Sequence, residues 1–141
     1  MILLETAQRL KASGLVWRPA LNDFFAIPER GMDDRIFVIS DLLVNIERLQ
    51  GVLVVSFQGA SEWALDSLVL TEAVWMPSES QLREILVTLL IAQGRSGLRL
   101  SGSLSGYVCE IPTDLGWKQF TSPYASEAYA QAILYLMESA S

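Results

Sequence analysis

Two acidic residues inside an apolar segment are the part of the sequence best suited to chemistry. Glu62 and Asp66 interrupt the run EWALDSLVL, and Trp63 lies between them. In a strand these two carboxylates share one face, and in a helical turn they stand at i and i+4, so either conformation brings them to one side. Two carboxylates held close together raise the pKa of one of them, which suits the pair to acid–base work or to binding a divalent cation. The more ordinary interpretation is a solvent-facing edge.

The tryptophans extend this candidate site. Trp75 follows the acidic segment closely, and we take Glu62, Trp63, Asp66 and Trp75 as the candidate binding residues. Large aromatic side chains are more often part of a core than of a ligand site. Two tryptophans exposed together would instead mark a surface for a partner or ligand. The sequence predicts no catalytic residue and no metal ligand.

The residue types that are missing exclude several mechanisms. The chain has no histidine, which excludes Ser-His-Asp and Cys-His catalysis and histidine-ligated metals. Its single cysteine, Cys109, forms no CxxC motif, and the context YVCEI predicts a buried strand residue instead of a reactive thiol. The glycine-rich nucleotide-binding motifs, HExxH and the EF-hand pattern are also missing. We therefore expect no cofactor.

Charge and hydropathy restrict the partners. A net charge of −6, with ten scattered lysines and arginines, argues against nucleic-acid binding. Apolar residues make up 51% of the chain and charged residues 18%, which is typical of a globular protein. No window supplies the ~20 apolar residues of a membrane span, and the start MILLETAQRLK lacks the basic region of a signal peptide. We expect a cytoplasmic protein that binds no membrane.

Three helices are predicted within one domain, residues 1–141. An apolar stripe predicts an N-terminal helix over 2–13. Ser78 and Gln81 form a capping box that begins the central helix, residues 78–93. Ser122 followed by Pro123 is typical of a helix start and predicts a C-terminal helix over 122–138.

The remaining apolar runs predict strands. Residues 15–17 and 24–27 are expected to form a hairpin, whereas Leu42 to Leu49 fits both a helix and a strand; the turn signal Gln50-Gly51 favours the strand. Short connections favour antiparallel pairing, and the fold class is therefore α+β, a mainly antiparallel sheet packed by the three helices. Further strands are predicted at 36–39, at 52–57 near the sheet centre, and at 74–76, 98–100 and 105–111; a turn follows from Pro112 to Gly116.

The segments DDRIFVISD, EWALDS and VWMPSESQLREIL resemble those of a small family of uncharacterised bacterial proteins of about this length. Some members of that family carry an unsupported pilus-assembly label. The resemblance covers roughly Leu15 to Leu90 and implies no activity, fold or cofactor. It does support treating Glu62, Trp63 and Asp66 as a unit.

Two functions from different classes follow. The first is a small interaction or regulatory module that binds another protein, or a second copy of itself, through an exposed apolar and acidic surface. The alternative is a small-molecule binder or carboxylate-dependent enzyme with a pocket near Glu62 and Asp66. The missing catalytic motifs favour the first function over an enzyme.

Overall fold

A computed structural model describes residues 1–28, 32–39, 44–49, 52–57, 67–69 and 72–139, with side chains placed for all but 32–35, 44–49, 52–57 and 67–69. The chain divides into two compact units, one formed by Met1–Val16 with Pro77–Ser141 and the other by Trp17–Met76. The prediction of a single domain over 1–141 is not tested by this division and stays a prediction. In chain order the described elements are α1 (Leu4–Ala12), β1 (Phe24–Ile27), β2 (Met32–Val38), β3 (Val44–Leu49), β4 (Val52–Phe57), β5 (Ser67–Val69), β6 (Val74–Trp75), α2 (Glu79–Ala92), β7 (Arg99–Ser103), β8 (Gly106–Thr113), β9 (Gly116–Ser122) and α3 (Ala125–Ser139).

The fold class is α+β, as predicted. In the first unit β7, β8 and β9 form an antiparallel sheet with β8 at its centre. Helix α3 packs on β8 and β9, and α1 and α2 pack on α3. Apolar side chains from each layer are fully buried at this junction, among them Leu10, Leu82, Leu86, Leu90, Ile111 and Ile133.

The central helix is confirmed, because its start and its end are both encoded locally. The Ser78 hydroxyl accepts from the Gln81 amide, and the Gln81 side chain accepts from the Ser78 amide. At the other end Gly94 has a φ of 72°, and Arg95 N–H donates to the Leu90 carbonyl. Glycine adopts this left-handed conformation at little cost and so ends the helix.

The C-terminal helix begins at Ala125, so the predicted start at residue 122 is wrong. Ser122 belongs to β9, a strand not predicted from the sequence, and its hydroxyl accepts from the backbone N–H of Tyr124. One face of β9 carries Lys118, Phe120 and Ser122, opposite residues of β8. This mixed polarity gives no apolar alternation, which explains the missed strand. The turn before it is also tighter than predicted, because Pro112 lies within β8.

The second unit contains two antiparallel sheets with the strand orders β2-β1-β6 and β3-β4-β5. Residues 52–57 form the central strand of the β3-β4-β5 sheet, as predicted, but the described strands are divided among three sheets where one was expected. The favoured strand assignment is also confirmed for Val44–Leu49, whereas Leu42 and Leu43 lie outside the described residues.

The predicted hairpin between residues 15–17 and 24–27 is wrong. Residues 15–17 form no strand, and β1 pairs with β2 on one side and β6 on the other. Leu15 N–H donates to the Leu10 carbonyl at the end of α1. The Trp17 indole donates to the Asp23 carboxylate at 2.9 Å. These local bonds fix the segment without pairing it to a strand.

Candidate functional site

Of the four predicted site residues, the structure describes only Trp75. Glu62, Trp63 and Asp66 lie outside the described residues, so the carboxylate pair and the pocket beside it stay predictions. Trp75 lies on β6 opposite Phe25 and is half-buried. Its indole N–H is buried and has no hydrogen-bond partner within the described part of the chain.

One face of the β2-β1-β6 sheet is a core. Phe25 is fully buried there with Ile27 and Ile39. Its ring centroid lies 5.5 Å from that of Trp17 and 5.5 Å from that of Phe37. Because residues directly opposite in a sheet share a face, Trp75 belongs to this core face. Trp75 thus lies on the same face as Phe25 but is only half-buried, and its part in a ligand site stays a prediction.

The opposite face of the same sheet is apolar but only half covered. Toward β6 its residues Ala26, Val74 and Met76 are buried. Toward β2 three large apolar side chains remain exposed: Phe24 by 37%, Ile36 by 41% and Val38 by 49%. Phe24 lies directly opposite Val38, and Ile36 is two residues before Val38 on the same face. We call Phe24, Ile36 and Val38 the β2 patch.

The backbone beside the β2 patch has a defined direction. Ile39 N–H donates to the Asp23 carbonyl at 2.9 Å, and the Ile39 carbonyl accepts from Asn22 N–H. The backbone N–H and C=O groups of Ile39 therefore point toward the β1 side. Successive residues of a strand point their N–H and C=O groups to alternate sides. Phe37 therefore bonds to β1, and the N–H and C=O groups of Ile36 and Val38 point to the outer edge of β2. In the described part of the sheet, β2 is one of the two edge strands.

The β2 patch was not predicted from the sequence, although a signal for it is present. The runs FFAI and IFVI are apolar without alternation, which indicates that both faces of the strands are apolar. A run of this kind predicts either two covered faces or one covered face and one that a partner covers. The sequence does not separate these two cases.

The outer face of the β7-β8-β9 sheet carries polar groups that already have partners. The Arg99 guanidinium lies 4.0 Å from the ring centroid of Trp117, an indole that is 44% exposed. Gln119 donates to the Glu110 carboxylate at 3.3 Å. Pairing within the face reduces what these groups can offer to a ligand, and we interpret the face as solvated.

A cleft of about 440 Å³ lies between the end of α2, the turn after β8 and the end of α3. Arg95, which lines it, forms an ion pair with Asp114, so the charge of the guanidinium is already balanced. Among the described residues, no cluster of three acidic or cysteine side chains could hold a metal ion. The cleft thus shows no arrangement specific for one ligand.

Cys109 is fully buried in β8, as predicted. Burial raises the pKa of its thiol to about 11, and the nearby negative charge of Glu110 adds to the shift. The thiol therefore stays protonated at neutral pH, and Cys109 is unsuited to nucleophilic chemistry.

Comparisons of the chain with protein-family models, with curated protein sequences and with solved structures gave no match. Within the described residues, no helix combines the length and the apolar character needed to cross a membrane. The fold thus defines an α+β protein, and the bacterial family named above stays a resemblance.

Proposed function

We propose that the protein is an interaction module that binds another polypeptide through the β2 patch. The observation that supports this most directly is the exposure, by 37% to 49%, of three large apolar side chains that are neighbours on two paired strands. Exposed apolar side chains scattered singly are normal, whereas contiguous ones mark surfaces that a partner covers. The first of the two functions expected from the sequence is the one this surface supports.

The size of the patch sets the energy available for binding. The three residues together expose on the order of 200 Å² of apolar surface. Burying that area would contribute about 5 kcal/mol at ~25 cal/mol per Å². The loss of translational and side-chain freedom on association offsets much of this gain. A reversible complex is therefore expected.

The cytoplasm is the proposed compartment. The chain carries one cysteine, and its thiol is free and buried. Chains without disulfides are typical of a reducing compartment. The partner is another protein or a second copy of this chain, and the experiment below separates the two.

Affinity capture with matched variants tests the proposal. Val38→Lys places a charge within the β2 patch, whereas Thr121→Lys adds the same charge at an exposed position of β9. Wild type and Thr121→Lys, incubated with lysate of the source cell, should retain the same protein. Val38→Lys should retain less of that protein by a factor of more than about ten, because a desolvated charge opposes binding. The retained protein is then purified, and the comparison of the three variants is repeated with the two purified components alone.

Sedimentation equilibrium of the same three proteins provides the second arm. A dimer of wild type and Thr121→Lys that is lost in Val38→Lys identifies a second copy as the partner. If Val38→Lys is folded and retains every protein that wild type retains, the β2 patch is not the binding surface and the proposal is wrong.

A further inference from the structure

We infer that the partner contributes an extended segment with β-branched residues at alternate positions, which pairs with the outer edge of β2 as an additional strand. This inference rests on the proposed function and specifies its partner. The two requirements that a bound strand must meet, backbone pairing and side-chain contact, coincide at Ile36 and Val38.

The backbone requirement follows from the hydrogen bonds around β1. Phe24 C=O accepts from Met76 N–H at 2.8 Å, so the backbone N–H and C=O groups of Phe24 point toward β6. Those of its neighbour Phe25 therefore point toward β2. Phe25 is directly opposite Phe37, which makes these two the hydrogen-bonded pair. Ile36 and Val38 consequently direct two N–H donors and two C=O acceptors away from β1, in the geometry that an extended chain can match.

The side-chain requirement is met by the same two residues. Ile36 and Val38 are exposed by 41% and 49%, and they share the face on which Phe24 is exposed. A strand added at this edge places every second side chain on that face. β-Branched side chains at those positions would pack directly against Ile36 and Val38.

The area of the β2 patch favours a short segment over a folded surface. Stable interfaces between folded proteins bury about 800 Å² on each partner. The β2 patch offers on the order of 200 Å² of apolar area. Strand addition does not need a large area, because main-chain hydrogen bonds supply part of the affinity. A separate extended segment is thus favoured over a second folded copy of the chain.

Fluorescence anisotropy with a defined peptide tests the inference. The probe is a fluorescein-labelled octapeptide in which three valine-serine pairs lie between terminal lysines, so that β-branched residues occupy alternate positions only. Two further versions carry N-methyl groups on the valines only or on the serines only, which block opposite edges of the peptide. The unmethylated peptide should bind wild type with its valines on the β2 patch, and one of the methylated versions should bind at least tenfold more weakly than the other. Loss with methylated valines indicates antiparallel addition, and loss with methylated serines indicates parallel addition.

A pair of protein variants tests the same contact from the other side. Ile36→Pro removes an outward N–H, which an edge strand tolerates, and Ile36→Ala truncates the side chain but keeps that N–H. Ile36→Pro should bind the peptide at least tenfold more weakly than Ile36→Ala. If the proline variant does not fold, the methylated peptides on wild type still decide the question.

Several outcomes overturn the inference. No binding of the unmethylated peptide, or equal affinities for the two methylated peptides, excludes strand addition. A wild-type dimer that is lost in Ile36→Pro assigns the edge to a second copy instead. In these cases a partner captured by wild type and lost in Val38→Lys leaves the proposed function standing, whereas the proposed function fails if Val38→Lys retains every partner.

Discussion

At the scale of single residues, Trp17 and Trp75 show two environments for the same indole group. The Trp17 N–H donates to Asp23 at 2.9 Å, and the Trp75 N–H is buried without a partner in the described part of the chain. A buried donor without an acceptor loses its hydration and gains nothing in return. The two residues should therefore respond differently to the loss of that N–H.

Phenylalanine substitutions measure this difference. Both substitutions remove the same part of the indole ring, so each loses a similar volume of packed side chain. Trp17→Phe should lower the free energy of unfolding by about 1–2 kcal/mol more than Trp75→Phe does, because only Trp17→Phe takes a donor from the Asp23 carboxylate. Urea unfolding of both variants checks the prediction. A loss in Trp75→Phe as large as that in Trp17→Phe would show that the Trp75 N–H is satisfied.

The Cys109 thiol predicts a dependence of stability on pH. Its pKa lies near 11 in the folded chain, compared with an ordinary value of 9.0. Because the pKa is higher in the folded chain, the contribution of the protonated thiol to the free energy of unfolding is fully present below pH 9. It is lost as the pH rises through 11. Wild type should lose more stability between pH 8 and pH 10 than Cys109→Ala. Equal losses of stability in the two proteins would contradict the raised pKa of the Cys109 thiol.

A residual alkaline loss is expected in Cys109→Ala. Burial also raises the pKa of Tyr129 on α3, and the Arg83 guanidinium opposes this shift only in part. The loss of stability from Tyr129 begins at a higher pH than the loss from Cys109, because the unperturbed phenol has the higher pKa. Between pH 8 and pH 10 the difference between the two proteins, and not the absolute slope, therefore reports on Cys109.

At the scale of elements, α1 depends on a cap from another helix. Its own N-cap residue, Leu3, supplies no side-chain cap. The buried Glu127 carboxylate of α3 instead accepts from Leu3 N–H at 2.6 Å and from the Thr6 hydroxyl at 2.9 Å. A carboxylate at a helix N-terminus also interacts favourably with the helix dipole.

Two glutamates of α3 provide a matched test of this cap. Glu127→Ala should lower the free energy of unfolding by about 2–3 kcal/mol, because it removes charged hydrogen bonds at a buried site. Glu138 pairs with Arg9 of α1 at 3.0 Å, but both side chains are at least half exposed. Glu138→Ala should therefore cost less than about 1 kcal/mol. Chemical denaturation followed by circular dichroism at 222 nm compares the two variants. Similar losses of unfolding free energy would show that Glu127 has no special role.

At the scale of the whole molecule, the single-domain prediction can be tested by separate signals from the two units. All three described helices lie in Met1–Val16 and Pro77–Ser141. In Trp117→Phe the remaining three of the four tryptophans lie within Trp17–Met76. Far-ultraviolet ellipticity then reports on one unit and tryptophan fluorescence on the other.

If the chain is one cooperative domain, the two urea unfolding curves of Trp117→Phe should coincide. Midpoints that differ by more than the experimental error would show that the units unfold separately. A control with wild type shows whether the substitution itself changes the helical transition.

The sequence by itself determined the features that are encoded by neighbours in the chain. The capping box at Ser78 and the glycine at 94 define α2, because these contacts span three to five residues. Unbroken apolar runs likewise predict the strands at 24–27 and 52–57, and the apolar context of Cys109 predicts its burial. The N-terminal helix and the α+β class follow from the same local patterns.

Only the tertiary structure decided which distant segments meet. The sequence pattern does not show that β1 pairs with β2 and β6, or that Glu127 caps a helix 124 positions away. It does not show that Ile36 is exposed while its cross-strand partner Ala26 is buried, because both belong to apolar runs. Exposure depends on which elements pack over a face, and that packing is set by long-range contacts of the whole chain. The β2 patch is for this reason a property of the fold.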